Sequence, residues 1–296
     1  MISPLYNHLA EQSGVDNGGA IHFLELPPGA GRAYLEDHSM TPLAIAKVLS
    51  RDLPGNIELS VKYNRTMGEE KLQTSIWSRG VDDEGIFEAS KSFHISKNGA
   101  LSGQINVADS CQGQKIGRTI MRNQIELAAL LGFKDFQISC IESGAYSWAK
   151  MGFYLKESER HDLQDMIDHR VGSIVDVLPG SLLERIEKLR NFKHSHDLSE
   201  LANLDYDLSA TAQQVSKILD KNKDEVGVDE YGWAENFWNF LGAHFEAASA
   251  RNKPLTLGRA LLVDTTWNGK LDLQDSCQMQ RIADYAGGFE YLEIKP

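Results

Sequence analysis

The stretch from Ile105 to Arg118, INVADSCQGQKIGR, restricts the fold of this chain more than any other. An apolar strand runs through it into a polar loop with two glycines and then into a long helix. The first N–H groups of a helix have no intrahelical acceptor, and the helix dipole adds partial positive charge at the same place. A pyrophosphate set against them satisfies both. Gly113 and Gly117 let the main chain come close to an anion, and Lys115 and Arg118 can screen its charge. The pattern predicts a helix over Ile116 to Leu131, with Ile116, Ile120, Ile125 and Leu127 turned inward and Gly132 as its stop. A second strand is expected over Phe136 to Ile141.

The loop is not a Walker A loop, because no Gly-Lys-Ser/Thr is present, and it is not the dinucleotide G-x-G-x-x-G. Gln112 and Gly117 stand at the two ends of a Gln/Arg-x-x-Gly-x-Gly/Ala pattern, with Lys115 in place of the middle glycine. Val107 matches the lead-in strand. Downstream, in Ala145 to Phe153 (AYSWAKMGF), Lys150, Gly152 and Phe153 fit the helix ending Tyr-x-Lys-x-Gly-Phe, and Trp148 holds the tyrosine position. On these two motifs, residues 20–158 resemble the GNAT N-acetyltransferase superfamily.

The resemblance implies an α+β fold with a mixed, mostly antiparallel central sheet flanked by helices. Its strands Leu101 to Val107 and Phe136 to Ile141 would splay to admit a pantetheine arm. Acetyl-CoA, as co-substrate, would be held by Asn106, Val107, Ala108, Gln112, Gly113, Gln114, Lys115, Ile116, Gly117 and Arg118. The backbone of Asn106 to Ala108 would serve the oxyanion. An amine acceptor, in a protein or a small molecule, would attack the thioester directly, with Glu142 or Asp109 as base and Tyr146 as acid. Tyr146 is two residues from Trp148, about 200° around a helix, and Tyr154 is a further phenol. The other reading is a GNAT-fold module without catalysis, used for structure or protein binding in an assembly; Trp148 and Lys115 favour it.

The rest of the chain frames this region. Alternation from Ile57 to Tyr63, then around Gln73 to Ser78, Ile86 to Ile95 and Leu101 to Val107, predicts an antiparallel meander with turns at Asp82 to Gly85 and Lys97 to Gly99. A helix capped at Thr41-Pro42 precedes it and is stopped by Pro54-Gly55, and Ile21 to Leu26 reads as an earlier strand. Residues 1–160 carry 16 Lys and Arg against 19 Asp and Glu, so most of the net charge of −12 falls later. Two domains are expected: 1–158, GNAT-like, and 159–296, acidic and mainly helical. Helices are read from Leu182 to Phe192, Ala210 to Asn222 and Asp229 to Arg251. The last carries an aromatic stripe (Trp233, Phe237, Phe240, Phe245) suited to a core, a homo-oligomer or a protein partner.

Net acidity argues against a general nucleic-acid binder. No apolar run approaches the ~20 residues that span a bilayer, and the first residues do not read as a secretion signal, so a cytoplasmic location is expected. Cys111, Cys140 and Cys277 form no C-x-x-C pair and read as reduced thiols, with Cys140 a buried apolar residue rather than a nucleophile. His161 with His169, and His194 with His196 and Asp197, lack a third ligand at a metal spacing, so no metal is expected.

Overall fold

The computed structural model describes residues 42–66, 69–79, 85–97, 99–140, 142–194, 196–208, 254–290 and 292. The chain divides into two compact units, one of Met1–Ile138 with Lys270–Pro296 and one of Ser139–Gly269. The second is inserted in the first, so this division differs from the sequence-expected cut at residue 158. The strand expected from Ile21 to Leu26, the helices expected beyond residue 209 and the aromatic stripe lie outside the described residues.

The described part of the first unit opens with α1 (Pro42–Ser50), which starts at a proline, where the missing N–H costs nothing. Four antiparallel strands follow: β1 (Asn56–Thr66), β2 (Glu69–Arg79), β3 (Gly85–His94) and β4 (Gly99–Val107). The period of two sets their faces. Ile57, Leu59 and Val61, then Leu72 and Ile76, then Phe87, Ala89 and Phe93 are buried, while Glu58, Gln73, Trp77 and Glu88 lie on the other face. Each large apolar side chain buried this way contributes about 1.5–3 kcal/mol.

Helix α2 (Ile116–Leu130) packs on α1, β3 and β4, and carries the chain over to β5 (Asp135–Cys140), which pairs parallel to β4. Parallel strands need such a crossover. The later part of the unit supplies Lys270 to Asp272 at the end of β7 (Trp267–Asp272) and α8 (Ser276–Ala286), which packs on α2. Leu273 N–H donates to the Lys134 carbonyl at 2.8 Å, and Lys270 pairs with Asp135 at 2.9 Å. Within this unit the strand order is β1-β2-β3-β4-β5-β7.

The second unit contains α3 (Glu142–Lys150), β6 (Tyr154–Leu155), α4 (Arg160–Ile174), α5 (Gly180–Leu189), α6 (Asp197–Ala202) and α7 (Leu257–Leu262). Helix α7 packs on α3, α4 and α6, and α6 packs in turn on α3 and α5. A side chain at Gly258 would lie 2.5 Å from the Ala202 carbonyl, so α6 and α7 meet closely only because that residue has none. From α4, Arg170 Nη1 donates to the Ala260, Leu261 and Val263 carbonyls at 3.1, 3.2 and 2.6 Å, closing the end of α7. Burial pulls this guanidinium down to about 10, against the opposing pull of the Asp264 charge.

The architecture is thus mixed α+β, with a mostly antiparallel sheet flanked by helices. Residues beyond 158 are not all helical, since β7 falls among them.

Candidate functional site

Three features of the first unit lie along β4 and the loop that follows it. The first is the loop. Ala108 N–H donates to the Ile86 carbonyl at 3.0 Å, and a 3-10 turn over Asp109–Cys111 follows. Gln112 folds back so that its side-chain amide donates to Asp109 Oδ1 at 2.7 Å. Gly113 has φ 81° and Lys115 has φ 69°, so the loop enters α2 through two left-handed residues. Only glycine takes that conformation without cost. Lys115 thus holds a backbone conformation that glycine adopts most readily.

The loop leaves amides over. The N–H groups of Gly113, Lys115, Ile116, Gly117 and Arg118 have no acceptor among the described residues, and no side chain caps α2. At α8, by contrast, the Asp275 carboxylate accepts from Cys277 and Gln278 N–H at 2.9 and 3.1 Å. Gln112, Gly113, Gln114 and Lys115 are exposed. Gly117 faces β4, and a Cβ there would meet Val107 and Ile105 at ordinary contact distance, so glycine and alanine fit equally. The Arg118 guanidinium lies over the Tyr285 ring of α8, 4.9 Å from its centroid, which directs this charge toward α8.

The second feature is a break in the sheet. Strands β4 and β5 share only two rungs, Gly99 with Asp135 and Ala100 with Phe136. Beyond them β4 continues to Val107 with one edge paired to β3 and the other in no ladder among the described residues. The next rung would be Leu101 with Gln137. Instead Lys91 of β3, 3% exposed, donates from Nζ to the Gln137 carbonyl at 2.6 Å and stands 3.8 Å over the Phe136 ring centroid. Its stem passes Gly103, where a Cβ would come within 2.8 Å of Lys91 Cδ.

The third feature is a cavity of about 590 Å3. It is lined by Trp77, Arg79, Glu88 and, from the expected coenzyme set, Asn106, Val107 and Ala108. Glu58, Trp77, Glu88 and Asn106 are cross-strand neighbours in one row over four strands. The Trp77 indole N–H donates to Glu58 Oε2 at 2.9 Å, which fixes the ring. Glu88 is exposed and makes no hydrogen bond or ion pair among the described residues.

The structure therefore brings the ten expected coenzyme-binding positions into one continuous strand, loop and helix start. The expected catalytic pair lies in the second unit, on α3. The Tyr146 hydroxyl accepts from Lys150 Nζ at 3.2 Å, one helical turn along; Glu142 opens the helix, and its side chain lies outside the described residues. The Trp148 ring folds back over Gly144, where a Cβ would lie 2.9 Å from Nε1. Cys140 is fully buried. The His194 and His196 rings stack with centroids 5.5 Å apart, and His161 lies 3.6 Å from Asp165 on the exposed side of α4. Among the described residues no three metal-binding side chains converge, and no helix is long and apolar enough to cross a membrane.

Sequence reasoning missed Lys91, Trp77 and Glu88. Lys91 had a signal: it falls in phase with Phe87, Ala89 and Phe93, a charge on the buried period of a strand. Trp77 and Glu88 had none, because the row that joins them depends on the register of three separate turns.

No protein-family model matches the chain, and no curated protein or solved structure is similar to it.

Proposed function

We propose that the first unit has a GNAT-type fold that binds acetyl-CoA, and that the protein is an N-acyltransferase carrying the acetyl group to an amine by direct attack. One observation carries this reading: β4 leaves its parallel neighbour after two rungs and leads into a loop and helix start with five amides lacking an acceptor among the described residues. An unpaired strand edge suits the amide groups of a pantetheine arm, and the amides of Gly113 and of Lys115 to Arg118 suit a diphosphate. The cavity beside Asn106 to Ala108 receives the acceptor, and Glu88, on its wall, takes the ammonium proton before attack. The developing oxyanion is served by backbone N–H at the end of β4.

Thermal melting with acetyl-CoA, CoA and ATP tests the binding step. Acetyl-CoA at 100 times its Kd should stabilise the protein by about 2.7 kcal/mol, a shift of several degrees, with CoA close behind and ATP weaker. Replacing Gly117 with glutamate should remove the response, and an unresponsive wild type would end the reading. Release of free thiol in the presence of amines tests the chemistry. Glu88→Gln should lower kcat at least about tenfold, with coenzyme binding unchanged.

The second reading, a non-catalytic binding module of the same fold, draws on Trp148, whose indole occupies the position of the family's phenol. It predicts no coenzyme-dependent rise in melting temperature and no amine-dependent thiol release.

A further inference from the structure

Lys91 lies at the fork between β4 and β5, and its surroundings say what it does there. An ammonium loses its hydration when buried, and unless its hydrogen bonds are replaced this is among the costlier changes a fold can carry. Phe87, Ala89 and Phe93, the residues that share its face of β3, are apolar. A methionine would fill the same channel over Gly103 without an ammonium to desolvate. What methionine lacks is the donor that reaches the Gln137 carbonyl, at the first rung the ladder fails to form, and the charge that stands on the ring of Phe136, the last rung it does form.

We infer that Lys91 is a positioning residue that holds the fork open: its side chain, laid across β4 at Gly103, ties Gln137 to β3 and keeps β4 beyond Ala100 from closing on β5. Two strands that already share a parallel register extend their ladder wherever nothing intervenes, since each further backbone hydrogen bond is favourable and each unpaired buried group is not. Lys91 intervenes. Its ammonium satisfies a β5 carbonyl and holds Gln137 to β3, so β4 from Leu101 to Val107 is kept from pairing with β5. The inference rests on the acyl-coenzyme A reading only for the purpose of that free edge; the fork itself exists without a ligand.

Hydrogen exchange on the ligand-free, full-length protein tests it. In Lys91→Met those amides of Leu101 to Val107 that do not already donate to β3 should exchange at least about tenfold more slowly than in wild type, because removing the ammonium lets β4 and β5 pair. Unchanged or faster exchange throughout that segment overturns the inference. Should the variant fail to fold, lysine ammonium NMR of the wild type decides. One slowly exchanging ammonium with cross-peaks to the Phe136 ring supports it, and only fast-exchanging ammonium groups overturn it. Titration of wild type with acetyl-CoA is read separately: if the coenzyme does not bind, the acyltransferase reading fails while the exchange result stands.

Discussion

Lys115 shows how one residue can carry two opposed requirements. Its φ of 69° costs a non-glycine residue about 1–2 kcal/mol, yet the loop needs that turn to point its amides outward. Lys115→Gly should therefore raise stability in denaturant titration by up to about 1 kcal/mol, part of the gain being offset by the extra freedom of glycine in the unfolded chain. If the loop binds a diphosphate, the same change should weaken binding at low salt more than at high salt, because the charge is exposed and easily screened. The loop was legible in the sequence from its glycines and its place between apolar runs. The left-handed turn at Lys115 was not legible, because composition cannot report φ.

At the scale of elements, local signals and long-range ones separate cleanly. The four strands of the meander, the α2 helix and β5 were all legible, since each carries its own period and is bounded by glycine, proline or asparagine turns. Strand β7 was not. Its sequence, WNGKLD, has asparagine, glycine and lysine within six residues, and only the burial of Trp267, Gly269 and Leu271 in the folded chain reveals the alternation. Its partners lie more than a hundred residues away, so tertiary pairing overrides a weak local preference. The close of α7 has the same character: three carbonyls meet one guanidinium from a helix ninety residues upstream. Arg170→Met should lower stability by about 2 kcal/mol or more in chemical denaturation, because it removes a charged donor and leaves those carbonyls without it.

On the scale of the molecule, the first unit is completed by residues far along the chain. Arg122 and Glu126 are buried on α2. Arg122 Nη2 pairs with Asp52 at 2.8 Å and its Nη1 donates to the Ala286 carbonyl at 3.4 Å, while Asn123 caps the end of α1 through the Leu49 and Arg51 carbonyls. Glu126 accepts from Glu290 N–H at 2.8 Å and lies 2.7 Å from Arg51 Nη1, a contact with the distance of an ion pair but not the alignment of a hydrogen bond. Glu126→Ala leaves Arg51 with the exposed Glu290 and Asp52 carboxylates, at 3.3 and 3.7 Å, and takes the acceptor from the Glu290 N–H, so it should cost about 1.5–3 kcal/mol in thermal or chemical melts. The double change Arg51→Met with Glu126→Leu should recover most of that loss, since two apolar side chains need no partner.

A ribosome makes this chain in an order its fold does not follow. By the time α2 has emerged, Arg122 and Glu126 already lie on the face meant for the interior. The carbonyl of Ala286 and the N–H of Glu290 that receive them are still more than 150 residues from being made. The insert, Ser139–Gly269, must be synthesised in the interval. Throughout that time each charge has only its upstream partner, Asp52 for Arg122 and Arg51 for Glu126, and the remaining contact of each waits for residues 286–290 to be made.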